Sequence, residues 1–231
     1  QVGEMVVAPG DEGWHARSLG VVEGEAGVEQ AALAFPALLV ELGSSALVIA
    51  RKFGWPFPVF EWGLNWCIAT SAHRYMMLHA GTVAFGDRAL ILPGTPGSGK
   101  STLTAALHLR GARLLSDEFG LLRPESLDLL PMPRGIPLKN TSIEAILGFE
   151  PEARLGPTYP KTRKGRVRHL RASDDSQRRQ HQLARPRWLV FPKYQADAAE
   201  TLRPLDKTEA FRQLAFNCFN YRLLGETSFR A

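Results

Sequence analysis

Hydrophobic positions change their spacing several times along this chain, and each change marks an element. From residue 61, "EWGLNWCIATSAHRY" places Trp62, Trp66, Ala69 and Ala72 on one helical stripe, which predicts a buried helix after the "PFPVF" punctuation. "HAGTVAFGDRALILPG" then switches to alternation, with two apolar runs about Gly86-Asp87, a two-residue hairpin signal. That hairpin fixes a register. Phe85 falls opposite Arg88, and counting outward brings His79 opposite Gly94. "STLTAALHLR" is a good helix former, with Gly111 as its stop, and "ARLLSDE" reads as a short buried strand ending in acids. Further on, "LLPMPRGIPLKNTSIEAI" is a Pro-punctuated loop leading into a helix capped by Asn140 or Thr141. Residues 161–187 read as loop, "RWLVF" as a buried strand and "KTEAFRQLAFNCF" as an amphipathic helix.

Residues 1 to 55 mix Gly, Glu and short apolar runs such as "LGVVEGEAG", the pattern of a small strand-rich N-terminal lobe. The expected class is therefore α/β, with a lobe at 1–55 and the main domain at 56–231. The most apolar run, "FPALLVELGSSALVIA", is broken by Glu41 and Gly43 before it could span a bilayer. No secretory signal is recognised, and two distant cysteines, Cys67 and Cys218, suggest reduced thiols in a cytoplasmic protein without disulfide or zinc. The chain opens on Gln1 without an initiator methionine, which suggests a fragment or a processed form.

Charge is unevenly spread. The net charge is +5, yet residues 161–190 alone carry ten Lys/Arg against Asp174 and Asp175. A solvated face accounts for such a run. So does a segment that closes over phosphates or attracts an acidic peptide. Nucleic-acid binding is disfavoured, because no groove-reading or aromatic-interleaved motif accompanies the charge.

The sharpest chemical signal is Gly94-Thr95-Pro96-Gly97-Ser98-Gly99-Lys100-Ser101, a full G-x-x-x-x-G-K-S between a strand and a helix. Glycines let successive N–H groups turn inward, and the helix that follows adds its positive end. Lys100 is then expected at the β- and γ-phosphates and Ser101 on Mg²⁺, with Thr102 completing the nucleotide-binding stretch. Asp117 and Glu118 follow one helix later, on a strand expected beside the loop's own. They are either a solvated strand end or a pair in which one acid holds Mg²⁺ and the other takes a proton. His79, beside the loop by register, is a satisfied polar group on one reading and a partner that tunes Asp117 on the other.

His79, the hairpin, the glycine loop and the early acidic pair resemble the catalytic domain of HPr kinase/phosphorylase, whose fold is related to that of ATP-dependent phosphoenolpyruvate carboxykinase. "EWGLNWCIATSAHRYMMLHA", "LLSDEF", "LPMPRGIPLKNTSI", "PRWLVFPKY" and "FNYRLLGE" look like signatures of the HPr-related kinase A group, found beside PqqD-like peptide chaperones. Together they span about residues 55 to 229. The resemblance implies an ATP- and Mg²⁺-dependent serine kinase, acting on a protein or peptide, in a homo-oligomer, with a further helical piece beyond the last residue. It implies Asp117 as the base, Glu118 on the metal side and His79 as the base's partner, with Lys100 neutralising the transferring phosphoryl. Arg134, Lys139 and Lys164 become candidate phosphate or substrate contacts. The chain departs from the family at Thr95, Glu118 and Ala80, where HPr kinases have Asp, Asp and Gly. Those departures bear on regulation and on the reverse phosphorylase reaction.

Overall fold

A computed structural model describes residues 56–230. The expected lobe at 1–55 lies outside the described residues. Two compact units are distinguished, one of them Val6–Cys67, and the site described below lies wholly in the other, which holds Ile68–Ala231.

The architecture is α/β with a mixed sheet. Helix α1 (Pro56–Ser71) leads into strand β1 (Met76–Phe85), which turns at Gly86-Asp87 into β2 (Arg88–Pro93). The hairpin takes the expected register, with Phe85 opposite Arg88 and Ala80 opposite Pro93. Gly86 adopts φ +65, a conformation open to glycine at no steric cost. Helix α2 (Lys100–Leu109) follows the glycine loop and ends at Gly111, φ +95. Strands β3 (Arg113–Ser116) and β4 (Phe119–Leu122) then run antiparallel to β1 along its other edge. With β5 (Leu129–Leu130) and β9 (Arg185–Leu189) the sheet order is β5-β4-β1-β2-β9, and β3 also pairs with β1. The β2–β9 pair is parallel; the others are antiparallel.

Alternation along β1 divides the core. Met76, Leu78, Ala80 and Ala84 face one side, under Leu214, Cys218 and Leu224 from the last helices. Val83 faces the other, with Ala105 of α2, Ile136 and Leu138 of β6 (Ile136–Lys139), and Ile143 and Ile146 of α3 (Thr141–Phe149). The helices behind the first face are α5 (Lys207–Phe216), the amphipathic helix expected there, then α6 (Tyr221–Leu224) and α7 (Glu226–Arg230). The short segment between α5 and α6 lines β1 where β2 has ended. Phe219 N–H donates to Met77 O at 2.8 Å, and the buried Asn220 amide accepts from Met77 N–H and donates to Tyr75 O.

Three expectations are corrected. Residues 161–187 are not a loop. They hold most of the β7 (Tyr159–Thr162)–β8 (Gly165–Leu170) hairpin, which joins β6 in a second sheet of order β6-β8-β7, and helix α4 (Asp174–Arg178). The basic side chains occupy the solvent-facing positions of a strand pair and hide its alternation, while Val167 and Leu170 are buried. "RWLVF" is not buried either. Strand β9 starts earlier, at Arg185, and lies at the sheet edge, where Trp188 stays 44% exposed and packs edge-on against Phe85. Lastly, the helical stripe at Trp62, Trp66, Ala69 and Ala72 is not a buried face. Trp66 is 54% exposed, and the residues of that end that pack on Met77, Phe119 and Leu121 are the smaller Ile68, Ala69 and Ala72.

Candidate functional site

The site is built around three consecutive residues of β1, His79-Ala80-Gly81. On one edge β2 ends opposite Ala80, so the loop Gly94–Ser101 begins beside His79, and Gly94 N–H points at His79 O over 3.4 Å. On the other edge Thr82 pairs with Ser116 and His79 with Phe119, which leaves Asp117 and Glu118 opposite Gly81 and Ala80. The acid-bearing strand therefore does not neighbour β2, as the spacing suggested. Strand β1 lies between them and serves both.

Gly81 is what allows the close approach. A Cβ there would overlap the Thr104 hydroxyl of α2 and stand 3.2 Å from Asp117 Oδ1. With only hydrogen at this position, α2 settles against β1 and Thr104 donates to Lys100 O at 2.8 Å. The loop itself uses left-handed glycines, Gly97 and Gly99, both at φ +88. Ser98 N–H closes an internal turn onto Thr95 O. Thr95, Pro96 and Gly97 are exposed, Ser101 and Thr102 are half-buried, and Lys100 is buried at the first position of α2.

Ser101 Oγ donates to Asp117 Oδ2 at 2.8 Å, joining the end of the loop to the end of β3. Asp117 is buried, and its second oxygen, Oδ1, has no hydrogen-bond partner. Ser98 Oγ is likewise buried and without a partner. Burial pushes the Asp117 carboxyl above its ordinary value; Lys100 opposes this, Glu118 adds to it and the Ser101 hydrogen bond opposes it.

Adjacent residues of a regular strand point to opposite faces, so Asp117 and Glu118 would part company. They do not, because Glu118 adopts φ +87, a left-handed conformation that costs a non-glycine residue about 1–2 kcal/mol. Its carboxylate turns instead toward His79, with Oε1 3.7 Å from Nε2. His79 was expected to partner Asp117; its acidic neighbour is Glu118. The His79 backbone N–H donates to Asn217 O at 2.7 Å, and the imidazole packs against the Phe219 ring, 5.2 Å centroid to centroid. Burial, with Lys100 next, lowers the His79 pKa to about 4 despite the pull of Glu118, so the ring is neutral near pH 7. Burial raises Glu118, but Lys100, the His79 imidazole, Lys139 and Lys164 outweigh it and leave the carboxyl below its ordinary value.

Lysines from three separate elements thus act on Glu118, and two of them, Lys100 and Lys139, on Asp117 as well. Lys139 ends β6, and Lys164 sits in the two-residue turn of the β7–β8 hairpin. Arg134, half-buried before β6, is not among the main charges on either acid. The hairpin turn is braced by Asn140, a residue the sequence offers as a helix cap. Asn140 occupies that position without capping through its side chain. Its amide reaches across instead, donating to Lys164 O and accepting from Arg166 N–H, with its own backbone at φ +50. The legible signal was the Lys164-Gly165 pair, since Gly165 at φ +81 is where a side chain would strike Asn140.

Chemically, a helix N-terminus fed by a glycine loop and flanked by lysines suits a polyanion. Ser101 Oγ and the two oxygens of Asp117 are the hard donors that Mg²⁺ takes. No group of three or more His, Cys, Asp or Glu side chains among the described residues could by itself hold a metal ion, so a magnesium ion at Ser101 and Asp117 would complete its shell with phosphate oxygens and water. Among the described residues no helix is long and apolar enough to cross a membrane. Comparison with family models, with curated proteins and with solved structures gives no match, so the functional reading rests on this geometry and on the motifs.

Proposed function

We propose that the chain is an ATP-dependent phosphotransferase of the HPr kinase-like type, moving the γ-phosphoryl group of Mg·ATP to a serine hydroxyl of a protein or peptide. The observation that carries this reading is the Ser101–Asp117 hydrogen bond, with Asp117 Oδ1 buried and unpartnered behind it. That pairing gives a metal-binding serine its carboxylate, and it sits at the end of a G-x-x-x-x-G-K-S loop. The charge balance supports it as well. Lys100 and Lys139 act on both acids and Lys164 on Glu118, and positive charge gathered there suits a triphosphate. A magnesium ion bound at Ser101 and Asp117 would neutralise charge on the β- and γ-phosphate oxygens.

The same geometry favours exchanging the two acidic roles expected from the resemblance. Asp117 is buried and already holds Ser101. Glu118 is more open, its side chain 23% exposed, and it faces His79. In the proposed step the serine oxygen bonds to Pγ as the Pγ–O bond to ADP breaks, and the serine proton passes to the Glu118 carboxylate. Neutral His79 stands beside that carboxylate, and Lys100 follows the charge onto the departing β-phosphate. Bound triphosphate offsets the lysines that keep Glu118 acidic, so its basicity rises when the donor is in place. The basic hairpin around Lys164 lies where an acidic peptide would approach.

The test is transfer of label from γ-labelled ATP to serine peptides with acidic flanks. Labelled phosphoserine formed by the wild type and lost in Glu118→Gln supports the kinase. Tight, stoichiometric retention of unreacted ATP, with no transfer to any acceptor and no ADP formed, would mark a nucleotide-dependent switch instead.

A further inference from the structure

Strand β9 is parallel to β2, so the segments that follow the two strands emerge at the same edge of the sheet. After β2 comes the glycine loop, and after β9 comes Val190–Tyr194. Backbone hydrogen bonds fasten the second to the first: Val190 N–H to Ile91 O at 3.0 Å, and Tyr194 N–H to Ser98 O at 2.9 Å. The fit is close. A Cβ on Gly99 would lie 3.1 Å from Tyr194 Cβ, and one on Gly94 3.9 Å from Pro192 Cγ. Yet Tyr194 is 57% exposed, an aromatic residue fastened to the loop through its backbone and left open to solvent. The acids stand on the far side of β1 from this segment.

We infer that Tyr194 is the stacking platform for the base of a bound nucleoside triphosphate. The inference rests on the reading of Gly94–Ser101 as a triphosphate loop. If the reacting phosphoryl group lies at Asp117 and Glu118, the nucleoside must leave the loop away from them, toward β9. An exposed aromatic residue fastened to the loop on that side is Tyr194. A base has a π-face whatever its edge, so a ring at this position gives affinity for the nucleoside without reading its identity.

The experiment compares two ligands, Mg·ATP and magnesium tripolyphosphate, by equilibrium titration of the full chain. Tyr194→Ala should weaken ATP about ten-fold, as loss of one base–aromatic stack does, and leave tripolyphosphate unchanged. Tyr194→Phe, which keeps the ring, should bind ATP as the wild type does. Equal weakening of both ligands in Tyr194→Ala would mean the residue only props the loop and would overturn the inference; so would unchanged ATP affinity. If wild-type protein binds neither ligand, the triphosphate reading itself has failed, a result distinct from either of those.

Discussion

Gly81 and Asp117 sit opposite each other across the β1–β3 edge, 3.2 Å from the place of a missing Cβ to a carboxylate oxygen. The same missing Cβ leaves room for the Thr104 hydroxyl. One hydrogen in place of a methyl thus lets helix, central strand and acid converge. Gly81→Ala should destabilise the fold by roughly 1–3 kcal/mol, the usual cost of overpacking. Chemical denaturation of Gly81→Ala in wild-type and Thr104→Ala backgrounds checks this. The penalty should shrink in the second, where the hydroxyl is gone, and strict additivity would show that the contact is not the cause.

The exchange of acidic roles separates two substitutions. Glu118→Gln should keep Mg·ATP affinity within about two-fold and lower the transfer rate by a hundred-fold or more, in the range of a lost general base. Asp117→Asn should weaken the magnesium dependence of ATP binding. Titrations across magnesium concentration, paired with single-turnover rates, tell these apart. Full transfer by Glu118→Gln, with transfer abolished and magnesium dependence intact in Asp117→Asn, would restore the assignment inferred from the family resemblance.

His79 makes a pH prediction whose sign follows from its environment. Its folded-state pKa is about 4, below the ordinary histidine value of 6.5, so the unfolded chain takes up a proton that the folded chain resists. This contribution is constant above about pH 6.5, and stability then falls as pH drops toward 4, by roughly 1–3 kcal/mol in all. Unfolding free energies measured from pH 7.5 to 4.5 should show that loss, and His79→Asn should flatten it. An identical slope in the variant would assign the pH dependence to other groups.

Asn140 holds the turn that carries Lys164, so both should report on one function. Asn140→Ala and Lys164→Ala should each raise the KM for Mg·ATP or for an acidic peptide several-fold with a smaller change in kcat. The double variant should be little worse than either alone. Gly165→Ala, which would drive a methyl into the Asn140 amide, should behave like Asn140→Ala. Additive effects would mean that Asn140 acts only on stability.

Much of the central geometry could be read from the chain because its determinants are local. Gly86-Asp87 selects a two-residue turn, and a two-residue turn dictates every pairing out to His79 and Gly94. The helix after Lys100, its stop at Gly111 and the short strand before Asp117 follow from equally local signals. What escaped reading depends on partners distant in sequence. The left-handed turn at Glu118 decides that His79 meets Glu118 and not Asp117, and nothing in "LLSDEF" announces it. The strands around Lys164 are disguised because their exposed positions are basic, so composition masks alternation. Trp66 sits on the helical stripe but stays 54% exposed, and a stripe alone does not say how deeply its large side chains are buried. Tyr194 is tied to Ser98 across ninety-six positions of sequence, a contact made only when β9 docks on β2.

The central claim is that the loop ending at Ser101, with Asp117 behind it, holds a magnesium-bound triphosphate. Calorimetric titration of the full chain with ATP, with and without Mg²⁺, tests it most directly. The account predicts one saturable site that requires the metal for full affinity and is weakened about thirty-fold or more in Lys100→Ala, as for a buried charge deprived of its partner. Absence of saturable binding, or equal affinity in wild type and Lys100→Ala, would contradict it.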